Sequence, residues 1–161
     1  MQAFLWWVPV LIWAGVIFFM STRAFGSSFT NNLLKDILAI LHLEVSHHTF
    51  LLLEHGFRKL GHLTEYSIFA IFLYHALGDD HRASWNPRKA LACILLAGLY
   101  SLTDEFHQSF VPGRSPSIVD CGIDTIGATL GMVIVYLAGR VRIGRGKSAR
   151  QGAGGDKPSS S

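Results

Sequence analysis

The sequence predicts an all-α membrane protein of four transmembrane helices, with a short amphipathic helix between the first and second. Three observations carry that prediction. Half of the 161 residues are hydrophobic and only 16% are charged, well below the quarter or so usual in soluble domains. The hydrophobic residues fall in four long runs. Lys and Arg are spread unevenly over the two sides that four crossings define.

The first run, Phe4 to Met20, contains no charge. At 1.5 Å per residue it is about long enough for a ~30 Å hydrocarbon core. Trp6 and Trp7 stand near one end, where an interface anchor belongs. A cleaved signal peptide is the competing reading. No Lys or Arg precedes the run and no A-x-A site follows it, which favours a retained helix. The second run covers about Phe57 to Leu77, the third Ala90 to about Phe110, and the fourth Ile118 to Gly139.

In the connection Ser21 to Gly56, Asn31 or Asn32 is placed to cap a short helix. Its Leu33, Leu34, Ile37, Ile40 and Leu41 share one face, the pattern of a helix lying on a membrane surface. Residues 1–140 form one domain on this reading. The basic, Gly- and Ser-rich stretch 141–161 reads as a disordered cytoplasmic tail.

Charge then sets the orientation. The net charge of +3 invites a nucleic-acid reading, but Arg140, Arg142, Arg145, Lys147 and Arg150 follow directly on an apolar run. Membrane topology explains them better, so the expected partner is the lipid bilayer and not nucleic acid. Four crossings put both termini and the Gly78–Lys89 loop on one side, with nine Lys and Arg against five on the other. The nine-residue side is expected to be cytoplasmic.

On that topology the ionisable residues converge. Lys59, His62 and Glu65 lie near the outer end of the second helix, and Asp104, Glu105, His107 and Gln108 at the outer end of the third. Asp120 and Asp124 occupy the first two turns of the fourth. A charge at mid-bilayer costs at least ~2.5–3.5 kcal/mol, so such groups should face each other or a wet cavity. Lys59, His62, Glu65 and Tyr66 share a helical face, as do Asp104 with Gln108 and Asp120 with Asp124. Gly127 and Gly131 form a G-x-x-x-G on the face of Asp120 and Asp124, which permits close helix approach and with it a homo-oligomer. Pro112-Gly113 reverses the chain, and Ser117 with Asp120 makes a capping box.

These residues carry a resemblance. Arg58-Lys59-Leu60-Gly61-His62-Leu63-Thr64-Glu65-Tyr66 resembles the R-K-x-x-H-x-x-E-Y signature of VanZ-like membrane proteins. Thr103 to Arg114 resembles their D-E-x-x-Q-x-x-x-P-x-R segment, and Asp120, Asp124 and Gly127 match the D-x-x-x-N/D-x-x-G that follows. Asp124 stands where the family often has Asn, adding a second carboxylate to the fourth helix. The resemblance covers roughly residues 4 to 140. It implies a small multi-pass protein of the bacterial cytoplasmic (inner) membrane, in a family named for lowered sensitivity to the glycopeptide teicoplanin. It supplies no molecular activity.

Three functions compete. In the first, an outward polar pocket binds an envelope precursor or lipid head group, with Arg58, Lys59 and Arg114 meeting phosphate or carboxylate and Tyr66, Asp104, Gln108, Asp120 and Asp124 completing the site. In the second, a small membrane enzyme uses Glu105 or Glu65 as general base and His62 or His107 as acid. In the third, the polar cluster only fastens helices. Several acids, a His and an Arg exceed what one fastening ion pair needs, because each extra buried charge costs stability. No cofactor is assigned. No H-E-x-x-H occurs, and adjacent His47 and His48 face apart on a helix, so no metal site is assigned either. Cys93 and Cys121 fall near opposite membrane faces, about 20 Å apart by helical rise, which excludes a disulfide between them.

Overall fold

A computed structural model describes residues 5–22, 27–78, 85–111 and 117–153, the side chains of 27–29 and 142–153 excepted. The described residues form five helices and no strand: α1 Trp7–Met20, α2 Ser27–Ile40, α3 His47–Ala76, α4 Pro87–Gln108 and α5 Ile118–Ala153. The all-helical class and the extra helix between the first and second runs are as expected. Membrane-crossing capacity is narrower than expected. Among the described residues, only the stretch Ile118–Val141 of α5 is both long and apolar enough to cross a bilayer, and α1 is a shorter apolar helix.

Local chemistry accounts for the boundaries. α2 begins at Ser27, four residues before the expected Asn31 cap, so both asparagines lie inside it. It ends in a Schellman turn: Leu43 N–H bonds to Leu38 O at 2.9 Å, His42 N–H bonds to Ala39 O at 3.1 Å, and His42 takes a positive φ of 52°. α3 starts ten residues before the apolar run, because Ser46 Oγ caps it by accepting from Thr49 N–H at 3.2 Å. Thirty residues make it about 45 Å long, so its first turns extend beyond the apolar part of the bundle. α4 starts with Asn86 accepting from Arg88 N–H and Lys89 N–H, followed by Pro87 in the first turn.

α5 continues to Ala153, where a disordered tail was expected from residue 141. A helix already running along an apolar segment pays no second nucleation cost, and Arg, Lys and Ala propagate it well. The Pro112-Gly113 turn and the inner part of the Gly78–Lys89 loop lie outside the described residues.

The central interface joins α3 to α5. A Cβ on Gly127 would fall on the backbone carbonyl of Leu63, and one on Gly131 on that of Ser67. Ser67 Oγ, bonded to its own helix at Leu63 O, also reaches Gly127 O at 2.6 Å across the gap. The close approach that G-x-x-x-G permits is therefore made inside the chain. The face expected to support a homo-oligomer is covered by α3, and both glycines are buried.

α4 packs on α5 with one buried stripe: Ala90, Cys93, Ala97, Ser101, Asp104, Glu105 and Gln108. The first three join Phe69, Ala70, Leu73, Ala128 and Met132 in an apolar core. Cys93 and Cys121 are both free and buried. α1 is tied to α3 by Trp13 Nε1–H donating to Glu65 O at 2.9 Å, and to α4 by the Tyr100 hydroxyl donating to Ala14 O at 2.7 Å.

Candidate functional site

The polar half of the α4 stripe meets the end of α1, the middle of α3 and the start of α5. Three hydrogen-bonded groups result, with one ion pair beside them. In the first, His62 Nδ1 on α3 lies 3.1 Å from Asp124 Oδ1 on α5, and Ser101 on α4 donates to Asp124 Oδ2 at 2.5 Å. Asp124 is fully buried and joins three helices through its two oxygens.

In the second group, Asp104 Oδ2 accepts from Ser21 Oγ at 2.7 Å and from Gln108 Nε2 at 3.0 Å, and Gln108 also reaches Ser21 Oγ at 3.1 Å. This fastens the end of α1 to α4. In the third, Glu105 Oε2 accepts from Ser117 N–H at 2.7 Å, just ahead of α5. The expected capping box is thus half made. Ser117 Oγ accepts from Val119 N–H at 3.2 Å, but its own N–H is taken by Glu105 and not by Asp120. Asp120 turns instead to Lys59, whose Nζ is 3.9 Å from Oδ1 in a pair open to solvent on the Lys side.

Of the residues expected to share one site, Lys59, His62, Asp104, Glu105, Gln108, Asp120 and Asp124 fall into these neighbouring groups. Tyr66 is fully buried, with its hydroxyl enclosed. Glu65 is half-buried on the same stretch of α3 and close enough to His62 to act on its charge. Arg58 is half-buried one turn before His62, its Nε enclosed without a partner. His107 packs its ring on Phe18 at 4.3 Å, and its Nδ1 is enclosed without a hydrogen-bond partner. Arg114 lies outside the described residues. Among the described residues, no set of three or more His, Cys, Asp and Glu is arranged to hold a metal ion.

Two members escaped the sequence reading, Ser21 and Ser101, and Ser117 was read only as a cap. Hydroxyls are common in apolar helices and signal little alone. Ser101 had a signal in its spacing, three and four residues before Asp104 and Glu105 on the same helical face.

Asp104, Glu105 and Gln108 on α4, Lys59, His62 and Glu65 on α3, and Asp120 and Asp124 on α5 are held at one level. The family model described as VanZ/LLP1 matches residues 6–139. The chain belongs to the VanZ/LLP1 family. The match runs from α1 to the apolar part of α5, so every described VanZ-like candidate residue lies inside it. No curated protein and no solved structure shows significant similarity to the chain.

Proposed function

We propose that this VanZ-like protein crosses the bacterial inner membrane four times, through α1, α3, α4 and α5. Both termini are cytoplasmic, and the polar layer opens outward to hold the head group of an envelope precursor or lipid. One observation carries the reading: at this end the bundle is polar inside and apolar outside. On α4 the buried residues at this end are Ser101, Asp104, Glu105 and Gln108, whereas Leu91, Leu95, Leu99, Leu102 and Phe106 are exposed. α1 and α5 likewise expose Leu11, Ile12, Phe18 and Phe19, and Ile126, Leu130, Ile134 and Leu137. In water such a belt marks an interaction surface, and against lipid tails it needs no partner. Buried carboxylates in that setting mark a ligand path or site.

Within the layer Lys59, Arg58 and Arg114 supply the cations for a phosphate or carboxylate. Arg114→Ala removes one guanidinium. The expected result is a ten- to hundredfold weaker binding of a lipid-linked envelope precursor, about 1.5–3 kcal/mol, at nearly unchanged melting temperature. Unchanged binding in folded protein refutes the site. Reporter fusions at Asp80 and at the C-terminus should read cytoplasm, and one near Pro112 the outside. Changed glycopeptide sensitivity on deletion would be the cellular counterpart.

A second reading, a membrane hydrolase or transferase, is favoured by the His62–Asp124 pair. A carboxylate on Nδ1 fixes the tautomer and leaves Nε2 to take a proton. Glu105, bound to a backbone N–H, is the weaker candidate base. His62→Gln abolishing turnover with binding retained would favour catalysis.

A further inference from the structure

A second concavity lies outside the polar layer. α2 and the start of α3, joined by a tight turn, leave between them a cleft of about 680 Å³, within the ~300–1,000 Å³ range of small-molecule sites. The local sequence builds its walls. Asn31, Lys35 and Leu38 recur at i, i+4 and i+7 and line it from one face of α2. The Schellman turn at His42 brings Leu43 back onto the end of α2, where such turns place an apolar contact with the residue five before. The Ser46 cap then starts α3 and presents Phe50 from the opposite wall.

The lining is divided. Apart from His47 at the α3 start, it is apolar toward the turn, with Leu38, Leu43 and Val45. About 5–10 Å back along α2 stand its two remaining polar side chains. Lys35 Nζ lies 6.0 Å from the centre of the Phe50 ring and forms no ion pair among the described residues. Asn31 Oδ1, one turn earlier, is enclosed without a hydrogen-bond partner. Enclosed polar atoms in native proteins are normally satisfied. The acids nearest in sequence, Asp36 and Glu44, are exposed, and no acid lines the cleft.

We infer that this cleft binds a single-chain anionic amphiphile. Its chain lies on Leu38, Leu43, Val45 and Phe50, and its carboxylate or phosphate meets the Lys35 ammonium. The Asn31 amide, which carries both a donor and an acceptor, stands beside that head group. A neutral alkyl chain would use the apolar wall and leave the ammonium and the amide idle. A small soluble anion would use only those two. The cleft shares no residue with the polar layer, so the inference stands independently of the head-group reading above.

The test places the full chain in phosphatidylcholine nanodiscs, where no detergent competes, and labels it with a diazirine-bearing dodecanoate at mildly alkaline pH. Labelled peptides are mapped by mass spectrometry, with the exposed apolar face of α5 as the reference for simple partition into lipid. Label should concentrate on residues 38–51. Dodecanoate and dodecyl phosphate should displace it about tenfold more effectively than dodecanol, the worth of one charge-assisted contact. Lys35→Gln should remove that advantage and leave displacement by dodecanol unchanged. Ala39→Trp fills the cleft from an exposed helical position and should abolish label there while the α5 label persists. Displacement by only one of the two anions supports the site and names its head group. Equal displacement by dodecanol overturns the anionic head, and equal displacement by inorganic phosphate overturns the chain. Label no denser than on α5, or unmoved by Ala39→Trp, overturns the cleft.

Discussion

The two ends of the α4 stripe hold the same helices together by different means. From Ala90 to Ala97 it meets Phe69, Leu73, Ala128 and Met132, with Trp85 stacked on Tyr74 at 5.5 Å and edge-on to Tyr136 at 5.3 Å. From Ser101 to Gln108 it makes hydrogen bonds to the end of α1 and to the start of α5, and α3 joins through His62 on Asp124. In the four-crossing arrangement proposed above, apolar burial between lipid-facing helices gives no net drive, so the first end would depend on small residues and close fit. The second gains direction from its bonds. Only the second leaves polar atoms over, and that surplus separates a joint from a site.

The largest expected effect is at Asp124. Asp124→Leu strands His62 and Ser101 in a fully buried position and should destabilise the bundle by about 3–5 kcal/mol. Denaturant unfolding in detergent measures it. A cost below about 1 kcal/mol would erase the contrast, because the polar end would then be held by shape alone.

Gly131→Val probes the close-packed end. The added Cβ falls on the Ser67 backbone, which no rotamer change relieves. The loss should be about 3 kcal/mol, the upper end for overpacking, with Gly122→Ala as an open-space control. An equal loss from both would mean that glycine matters here for helix flexibility and not for approach.

How much of this was legible depends on the type of contact. Charges inside apolar runs stand out, so the levels of His62, Asp104, Glu105 and Asp124 could be read from hydropathy and a 3.6-residue period. The partners of those charges could not. Ser21 lies 83 residues from Asp104, and no local pattern joins a helix-end serine to a distant carboxylate. G-x-x-x-G announced a close approach at Gly127 and Gly131 but not its partner, which is α3 of the same chain. The α3 start was hidden because His47, His48, Glu54 and Gly56 interrupt its hydrophobicity, while the Ser46 cap acts independently of it. Membrane character was legible as composition. Among the described residues only α5 carries it by length and hydropathy, since the polar layer interrupts α3 and α4.

A smaller effect is expected at Ser21. Ser21→Ala removes a donor to Asp104 and an acceptor for Gln108, leaving Asp104 with Gln108. The cost should be about 1–3 kcal/mol, read as earlier proteolysis of α1 than of α4. Loss of all four helices together would mean that α1 is integral to the bundle and not strapped onto it.

The smallest effect sharpens the comparison most, because it asks where the joint stops and the rim begins. Lys59 and Asp120 are the outermost pair, 3.9 Å apart, with the Lys side chain 46% and the Asp side chain 16% exposed. At that distance, with water on the cationic side, Coulomb attraction is screened and offset by side-chain entropy. Lys59→Ala should therefore change unfolding stability by less than about 1 kcal/mol, and added salt should shrink even that. A cost as large as that of Asp124→Leu would place Lys59 inside the fastening network and take from the layer one of the cations available to a phosphate. Near-neutral stability with a tenfold loss of envelope-precursor binding would instead mark Lys59 as part of the ligand rim, held in place by Asp120 without holding the bundle together.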